Sequence, residues 1–499
     1  MRISLVFFGL VSLYAYSAVA PTQFLPKGET GLPITTINLT FRVGSADDPT
    51  DQAGVAFLTG RMLREGGVKK MKDLPARNRA QIEDFLYPYS AHIDVSVEKE
   101  QTSFTVTMSA KEAMPLFKVL VQMLQTPAWD PKEFARIKAE TLDGLTQRMP
   151  REDQEELGKA ALDQAIYGKN HPYGHVDEGT VASVKAVKLE QVKKFFTQSY
   201  TLNRLSVGLG GVVDEDLRAF SNGAFSFLSE SPSIKTEIPF PEPMKGRQLT
   251  IVTGPFESTG IHLGQAVSFN RGNPEFASMY LAATAFGKHR SFVGRLMKSV
   301  REVRGLNYGT YSYVEDFPNG GQQLVPPTQS ARSRQAFTVW ARPTPVPNGC
   351  FLLRQVLREV DSLTTEGLTQ AEFELGQSHL VGSLPLLSAS LERNLGEQID
   401  NAFYGTSAPL VPQLEALKLR DVNSALKHHL TPNSIHIVVV TPDAEKFKEA
   451  ISKPRCDIQY AAGIEKPDEV KAEDEKIATY PVHIAPANIK VITAESVYQ

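Results

Sequence analysis

Two pairs of closely spaced histidines are the first places in this sequence where side chains could hold a metal ion. His171 and His175 are four residues apart, the spacing at which two imidazoles on one helix face reach the same ion. The proline and the glycine between them break such a helix, so we expect a structural turn. His428 and His429 are adjacent, and we expect one to point towards the core and the other towards solvent. Neither pair predicts a metal site.

A second candidate lies in RSFVGRLMKSVREVRGLNYGTYSYVEDF, residues 290–317. Apolar residues recur there at helical spacing, at Phe292, Leu296 and Val300. Gly305 ends the predicted helix, and NYGTYSYV begins a strand. Glycine permits a sharp turn between the two elements. The sequence offers no phosphate-binding loop and no Ser/His/Asp arrangement.

The elements that would position these residues are repeated along the chain. LEQVKKFFTQSYTLNRLSVGLGGVV, from Leu189, and LRDVNSALKHHLTPNSIHIVVVTPD, from Leu419, each contain a helix, a Thr-x-Asn turn and a strand. The similar phrases AIYG and AFYG precede the two copies. Each half also opens with a strand that leads into a helix. The sequence therefore contains two copies of one plan.

We predict an α+β fold with two tandem homologous domains, each an antiparallel sheet with helices packed on one face. The domains cover 24–228 and 247–460, and a linker rich in proline and polar residues covers 229–246. Residues 461–499 form a charged C-terminal extension. Within it we expect 462–478 to be solvated and the final residues to form a short strand.

Composition and the N-terminal segment limit the classes of partner and compartment. The chain has 499 residues and a formal net charge of -3, which argues against nucleic acid as a partner. MRISLVFFGLVSLYAYSAVA predicts a signal peptide over 1–17, with cleavage between 17 and 20; a retained anchor is the alternative. No later stretch is apolar enough for a membrane span. We expect an exported protein, periplasmic or, alternatively, secreted.

The two cysteines, Cys350 and Cys456, are too few for a disulfide framework and lack the spacing of a zinc knuckle. An oxidising compartment would permit a bridge, but nothing in the sequence indicates that the two residues meet. We expect two unpaired buried thiols.

Duplicated α+β halves of this size, with GVAFLTGRML near the start, resemble the insulinase/pitrilysin family of metallopeptidases, which includes the mitochondrial processing peptidase. In that family the first helix carries H-x-x-E-H: two histidines bind zinc, and the glutamate deprotonates the metal-bound water. This chain has Phe57, Gly60 and Arg61 at those positions, and Gly144 at the position of a later glutamate ligand. The resemblance implies a degenerate zinc motif and no cofactor bound by this chain.

The resemblance also gives a role to the second candidate. The phrase R-E-x-x-G-L-x-Y is similar to a second family signature, and its arginine and tyrosine are Arg301 and Tyr308 here. In that family the arginine binds backbone carbonyls or a carboxylate of the substrate, and the tyrosine hydroxyl donates to the oxyanion on the scissile carbonyl. Arg304 is the alternative for the arginine, but its spacing to the tyrosine does not match.

A chain with a degenerate zinc half and a complete Arg/Tyr half resembles the non-catalytic subunit of bacterial heterodimers in this family. It would supply Arg301 and Tyr308 to a sister chain that bears H-x-x-E-H and zinc, and the pair would hydrolyse peptides. One alternative is a structural or peptide-holding scaffold with no catalytic contribution. Another is an autonomous zinc peptidase, for which the sequence lacks metal ligands.

Overall fold

The computed structural model describes residues 22–24, 33–230, 236–317 and 323–499. Within these ranges the chain forms two α+β halves, each built on one main sheet, which confirms the predicted fold class. The predicted signal peptide and the middle of the predicted linker, 231–235, lie outside the described residues. Among the helices that are described, none has the length and apolar character needed to cross a membrane.

The first half contains a five-stranded sheet with the order β1-β5-β2-β4-β3. Strands β1 and β5 are parallel, and the other pairs are antiparallel. Its elements in chain order are β1 (Thr22–Phe24), β2 (Ile34–Phe41), α1 (Val55–Glu65), α2 (Arg79–Leu86), β3 (Ile93–Val97), β4 (Thr102–Ser109), α3 (Ala113–Gln125), α4 (Pro131–Asp143), α5 (Met149–Arg151), α6 (Gln154–Tyr167), α7 (Val181–Ala186), α8 (Leu189–Ser199), β5 (Leu205–Gly211) and α9 (Glu215–Gly223).

The second half repeats this plan with one additional strand, in the order β11-β6-β10-β7-β9-β8. Strand β6 is parallel to both β10 and β11, so this sheet is also mixed at one side. Its elements are β6 (Gln248–Thr253), β7 (Ser258–Val267), α10 (Phe276–Gly287), β8 (Thr310–Tyr313), β9 (Gln335–Pro345), α11 (Gly349–Thr365), α12 (Gln370–Leu387), α13 (Leu391–Phe403), α14 (Leu410–Ala416), α15 (Leu419–His429), β10 (His436–Thr441), α16 (Ala444–Ser452), α17 (Asp468–Ala478) and β11 (Ile489–Thr493).

Each sheet is covered on its second face by a helix from the other half. Helix α6 packs against β7 and β10, and α13 packs against β5 and β2. In β2 the apolar Ile37 and Leu39 are buried, and so is Asn38 between them, which donates to Thr105 Oγ1 at 2.6 Å. The prediction of helices on one face is therefore incomplete, because an alternating strand pattern does not show that its polar face will also be covered.

The C-terminal segment packs against both halves, so the prediction that 462–478 is solvated holds for its many exposed residues but not for one face of its helix. Helix α17 packs against α11, and Asp474 and Ile477 on it are buried. Strand β11 joins the second sheet, as the expected short strand. Tyr498 then lies buried in the core of the first half, where its carbonyl oxygen accepts from the Val181 N–H at 2.8 Å. The many charged residues of the segment made it look solvated, although one face of α17 and a short stretch near the end of the chain are apolar and buried.

Cys350 and Cys456 form a disulfide, so the expectation of two free thiols was wrong. Cys350 lies in α11, Cys456 follows α16, and their Cα atoms are 5.9 Å apart. The sequence separation of 106 residues gives no sign of this contact, which depends on the packing of α11 and α16. A disulfide is consistent with the expected oxidising compartment.

Candidate functional site

The helix that leads to Arg301 is shorter than predicted. It begins at Arg295 and passes into a π-helical turn, Met297–Glu302. Leu296 is buried as expected, but Phe292 lies before the helix with 70% of its surface exposed, so its prediction as an apolar helix position was wrong. Gly294 has a φ of +124°, which explains why the helix does not extend further towards the N-terminus.

The structure brings Arg301 and Tyr308 together. Gly305 has a φ of +67° and its N–H donates to the Arg301 carbonyl at 2.8 Å, which ends the helix and reverses the chain. The guanidinium carbon of Arg301 lies 4.5 Å from the centre of the Tyr308 ring and 5.0 Å from that of Phe292. Such contacts are attractive because the face of an aromatic ring carries a negative electrostatic potential.

Both polar groups of this pair are available to a ligand. Tyr308 is 67% exposed, and its hydroxyl has no hydrogen-bond partner within the described ranges. The Arg301 guanidinium likewise forms no ion pair with any described carboxylate. A guanidinium and a phenol that face solvent side by side can bind a carbonyl or carboxylate and donate to a developing oxyanion.

The tyrosine loop is held by contacts that sequence reasoning missed. The Arg342 guanidinium lies 5.6 Å from the Tyr308 ring centre, and its Nε donates to Glu155 Oε1 at 2.6 Å. Glu155 lies on α6 of the first half. The Asn307 side chain donates to the Arg342 carbonyl at 2.9 Å and accepts from the Gly309 N–H. The first half therefore contributes to the position of Tyr308.

Arg304, the alternative for the arginine role, is a buried structural residue. Its Nε donates to Asp474 Oδ1 at 2.7 Å, and one terminal nitrogen donates to Glu473 Oε2 at 2.7 Å. Its other terminal nitrogen donates to the Ser299 carbonyl. These bonds occupy the guanidinium fork, which leaves Arg301 as the arginine that can reach a ligand.

Ion pairs occupy the region where the family signature would place zinc. Arg61 Nε donates to Glu65 Oε1 at 2.8 Å, and its Nη2 donates to Glu140 Oε2 on α4 at 3.0 Å. Arg136 bonds both carboxylates. The hydrogen bond from Arg136 lowers the pKa of Glu140, against a smaller effect of burial, and the bond from Arg61 acts in the same direction. Sequence reasoning did not consider Glu140, which lies one helical turn before Gly144.

The remaining zinc-motif positions do not fit a metal either. Phe57 is partly buried against the core of the first half. Gly60 is buried, and a Cβ atom added there would lie 2.5 Å from Val97 Cγ2 on the edge strand β3. Gly144 begins a π-helical turn, Gly144–Arg148, that continues α4. A guanidinium, a phenyl ring and two glycines supply no ligand for zinc, so no step is assigned to a metal here.

The two histidine pairs have different outcomes. His171 and His175 lie in a turn: His171 Nδ1 accepts from the Tyr173 N–H at 3.0 Å, and His175 Nδ1 bonds the Val176 carbonyl. His428 and His429 differ in burial as expected. Although His429 is buried and His428 exposed, their rings stack with centres 4.5 Å apart, and both contact Glu275. The sequence did not indicate the contact with Glu275, which places three potential ligand atoms within 4.8 Å of one another.

Two family models match most of the chain. The model described as Insulinase (Peptidase family M16) matches residues 29–171. The model described as Peptidase M16 inactive domain matches residues 186–380. The chain belongs to the insulinase, or M16, family of peptidases.

Similar proteins cover more than four fifths of the chain. A Helicobacter pylori protein named non-peptidase homolog YmxG is 24% identical over 421 residues, which is 82% of this chain and 89% of that protein. An uncharacterized zinc protease of Mycobacterium tuberculosis is 24% identical over 424 residues, 82% of this chain and 88% of its own. The crystal structure of a peptidase M16 inactive domain from Pseudomonas fluorescens has a TM-score of 0.73 at 24% identity and covers 86% of this chain and 97% of its own. At this identity the likeness to the solved structure shows the fold.

Proposed function

We propose that this chain is the non-catalytic subunit of a heterodimeric zinc metalloendopeptidase. Its sister chain bears H-x-x-E-H and supplies the zinc, the attacking water and the general base. This chain supplies Arg301, which binds the substrate backbone, and Tyr308, which donates to the oxyanion. The exposed Arg301–Tyr308 contact, in a chain without zinc ligands at the family positions, carries the proposal.

The exposed position of Arg301 and Tyr308 supports a site that a second protein molecule would enclose. A hydrogen-bond donor contributes most to transition-state stabilisation in a site from which water is excluded. The cavity of about 280 Å³ in the second half is lined by other residues, among them Arg271 and Tyr280, and by neither Arg301 nor Tyr308. An opposing surface on a sister chain would provide the enclosure that this exposed pair lacks.

The relatives differ in a way that fits this assignment. The Helicobacter pylori protein is named a non-peptidase homolog, whereas the Mycobacterium tuberculosis protein is named a zinc protease. The absence of ligand side chains at Phe57, Gly60, Arg61 and Gly144 supports grouping this chain with the first. The substrates would be short or unfolded peptides, and the complex would be exported to the periplasm, with secretion as the alternative.

Reconstitution tests the proposal. Purified full chain is mixed with an H-x-x-E-H family member of similar length from the same organism, and hydrolysis of a fluorogenic peptide is measured for each chain and for the mixture. We expect activity only in the mixture. Tyr308→Phe should lower kcat by about 10²–10³-fold with little change in KM, because the hydroxyl acts on the oxyanion and not on the bound peptide.

A matched control and the scaffold alternative complete this test. Tyr87 is 86% exposed and lies on the first half, so Tyr87→Phe should leave kcat unchanged. If Tyr308→Phe also leaves it unchanged, the chain is a scaffold and the catalytic part of the proposal fails. Hydrolysis by this chain alone with one bound zinc would show an autonomous peptidase.

A further inference from the structure

Glu275, His428 and His429 form a cluster at the junction of α10 and α15, on elements other than α1 and α4. His428 Nδ1 lies 2.9 Å from Glu275 Oε2, and His429 Nε2 lies 3.0 Å from the same oxygen. One potential ligand atom from each residue lies within 4.8 Å of the other two. These side chains are not among the zinc-motif positions, and the proposed peptidase function does not use them.

The surrounding structure fixes two of the three side chains. His429 is the last residue of α15, its side chain is only 3% exposed, and the Phe269 ring packs edge-on against it with centres 4.6 Å apart. Glu275 precedes α10, which packs against α15. His428 is the third member and is open to solvent, so an ion could enter from that side.

The separations suit a small divalent transition metal. Zinc binds imidazole nitrogen and carboxylate oxygen at about 2.0–2.2 Å, so ligand atoms around a tetrahedral ion lie about 3.3 Å apart. The observed nitrogen-to-oxygen distances of 2.9 Å and 3.0 Å need only a small outward movement to accommodate such an ion. Two histidines and one glutamate are also a ligand set found at zinc sites that keep a fourth position for water.

We infer that Glu275, His428 and His429 bind a divalent transition metal of the zinc type, with water completing the coordination. Two imidazoles and a carboxylate favour Zn²⁺, Co²⁺, Ni²⁺ or Cu²⁺ over Mg²⁺ and Ca²⁺, which prefer oxygen ligands. The ion would connect the end of α15 to the start of α10. This inference is independent of the proposed function, because a scaffold and a peptidase subunit could both hold such an ion.

The test uses the full chain without an affinity tag, stripped with a chelator and dialysed. Titration with Co²⁺, followed by visible absorption, and competition with Zn²⁺ should show about one ion per chain with the spectrum of a low-coordinate site. The melting temperature should rise with the metal concentration and then saturate. His428→Ala and Glu275→Gln should each weaken binding by about tenfold or more.

A single His–carboxylate pair elsewhere gives a matched control. The His92 side chain is 66% exposed, as is that of His428, and lies 3.5 Å from Asp94, but no second imidazole is part of that pair. His92→Ala should leave the affinity unchanged. His429→Ala could fail to fold because the ring is buried, so the conclusion depends on the other two variants. Wild-type protein that binds neither Co²⁺ nor Zn²⁺ in the titration, or His428→Ala that binds as tightly as wild type, would overturn the inference.

Discussion

At the scale of single residues, helix α1 keeps its position in the fold although it lacks the zinc-binding side chains of the family. Helix α1 contacts α4 through Arg61, Glu65 and Glu140, so charged side chains connect the two helices where zinc would do so in the family. Partly exposed ion pairs are each worth only about 0–1 kcal/mol, although a network of several contributes more. Close packing at Gly60 therefore limits substitutions in α1 more than these ion pairs do.

Gly60→Ala tests that packing. A Cβ atom would lie 2.5 Å from Val97 Cγ2, and overpacking of this kind costs about 1–3 kcal/mol. Alanine also favours a helix over glycine by about 1 kcal/mol, which partly offsets this cost. We expect a net loss in the free energy of unfolding, measured with urea. In a Val97→Ala background the same substitution should instead stabilise by about 1 kcal/mol, and equal effects in both backgrounds would contradict the close contact.

At the scale of elements, the Arg301 helix depends on the C-terminal segment. Arg304, one turn after Arg301, is bonded to Asp474 and Glu473 on α17. The Tyr460 hydroxyl also donates to Asp474, at 2.7 Å. These contacts fix the end of the π-helical turn and with it the direction in which Arg301 points. A segment that appears in the sequence as a charged extension thus supports the candidate site.

Asp474→Ala should destabilise this region. The Arg304 side chain is almost fully buried, and removing one partner of a buried pair costs about 3–5 kcal/mol. We expect the lower end of that range because Glu473 remains as a partner. Hydrogen–deuterium exchange should show faster exchange in α17 and in the turn at Gly305. Asp468→Ala, on the same helix but 99% exposed at its side chain, is the control and should change neither.

The elements also show which features the sequence could predict. The repeat, the strand-to-helix order and the Gly305 turn depend on neighbouring residues, so periodicity and turn chemistry revealed them. The extent of the helix at Phe292 was misjudged because apolar spacing does not exclude a glycine with positive φ. The disulfide, the Arg304–Asp474 pair and the contact of Glu275 with His429 join residues more than 100 positions apart. No local pattern encodes such contacts; they arise only when the helices pack.

At the scale of the whole molecule, the two halves are joined by polar groups that are buried where they meet. Arg332 of the second half pairs with Asp316 at 2.7 Å and with Asp163 of the first half at 3.7 Å. Glu100 of the first half accepts from the Ser333 hydroxyl at 2.8 Å. The chain end adds a further connection, because Tyr498 is buried in the first half while β11 belongs to the second sheet.

Several carboxyl groups in this region have raised pKa values. Burial raises the pKa of Asp400, on α13, to about 7, against the opposing influence of Arg271. Asp400 Oδ2 accepts from the Gln329 N–H at 2.8 Å, and Glu315 lies among the charges that act on it. Burial likewise raises the pKa of Glu178 to about 7. Each of these groups is protonated more readily in the folded chain than in the unfolded one.

The sign of the resulting pH dependence follows from Asp400. An unfolded aspartate has a pKa of about 3.9, so between that value and about 7 the folded state binds the additional proton. The stability from this proton is fully present below the unfolded pKa and is lost as the pH rises through about 7. Asp400→Asn is neutral at every pH, so between about pH 4 and pH 7 its free energy of unfolding should fall less steeply than that of the wild type, by a slope corresponding to about one proton.

Denaturant unfolding at several pH values between about 4 and 7 measures that slope, and values above 7 should show no difference in slope. The exposed Asp84→Asn is the control, and it should follow the wild-type curve. Glu178 should keep part of the dependence in both variants because its carboxyl group titrates in the same direction. A wild-type slope in Asp400→Asn would mean that this carboxyl group is ionised in the folded chain. In that case the attraction of Arg271, and not burial, would determine the charge of Asp400. The contact between α13 and the first sheet would then be insensitive to pH at this position.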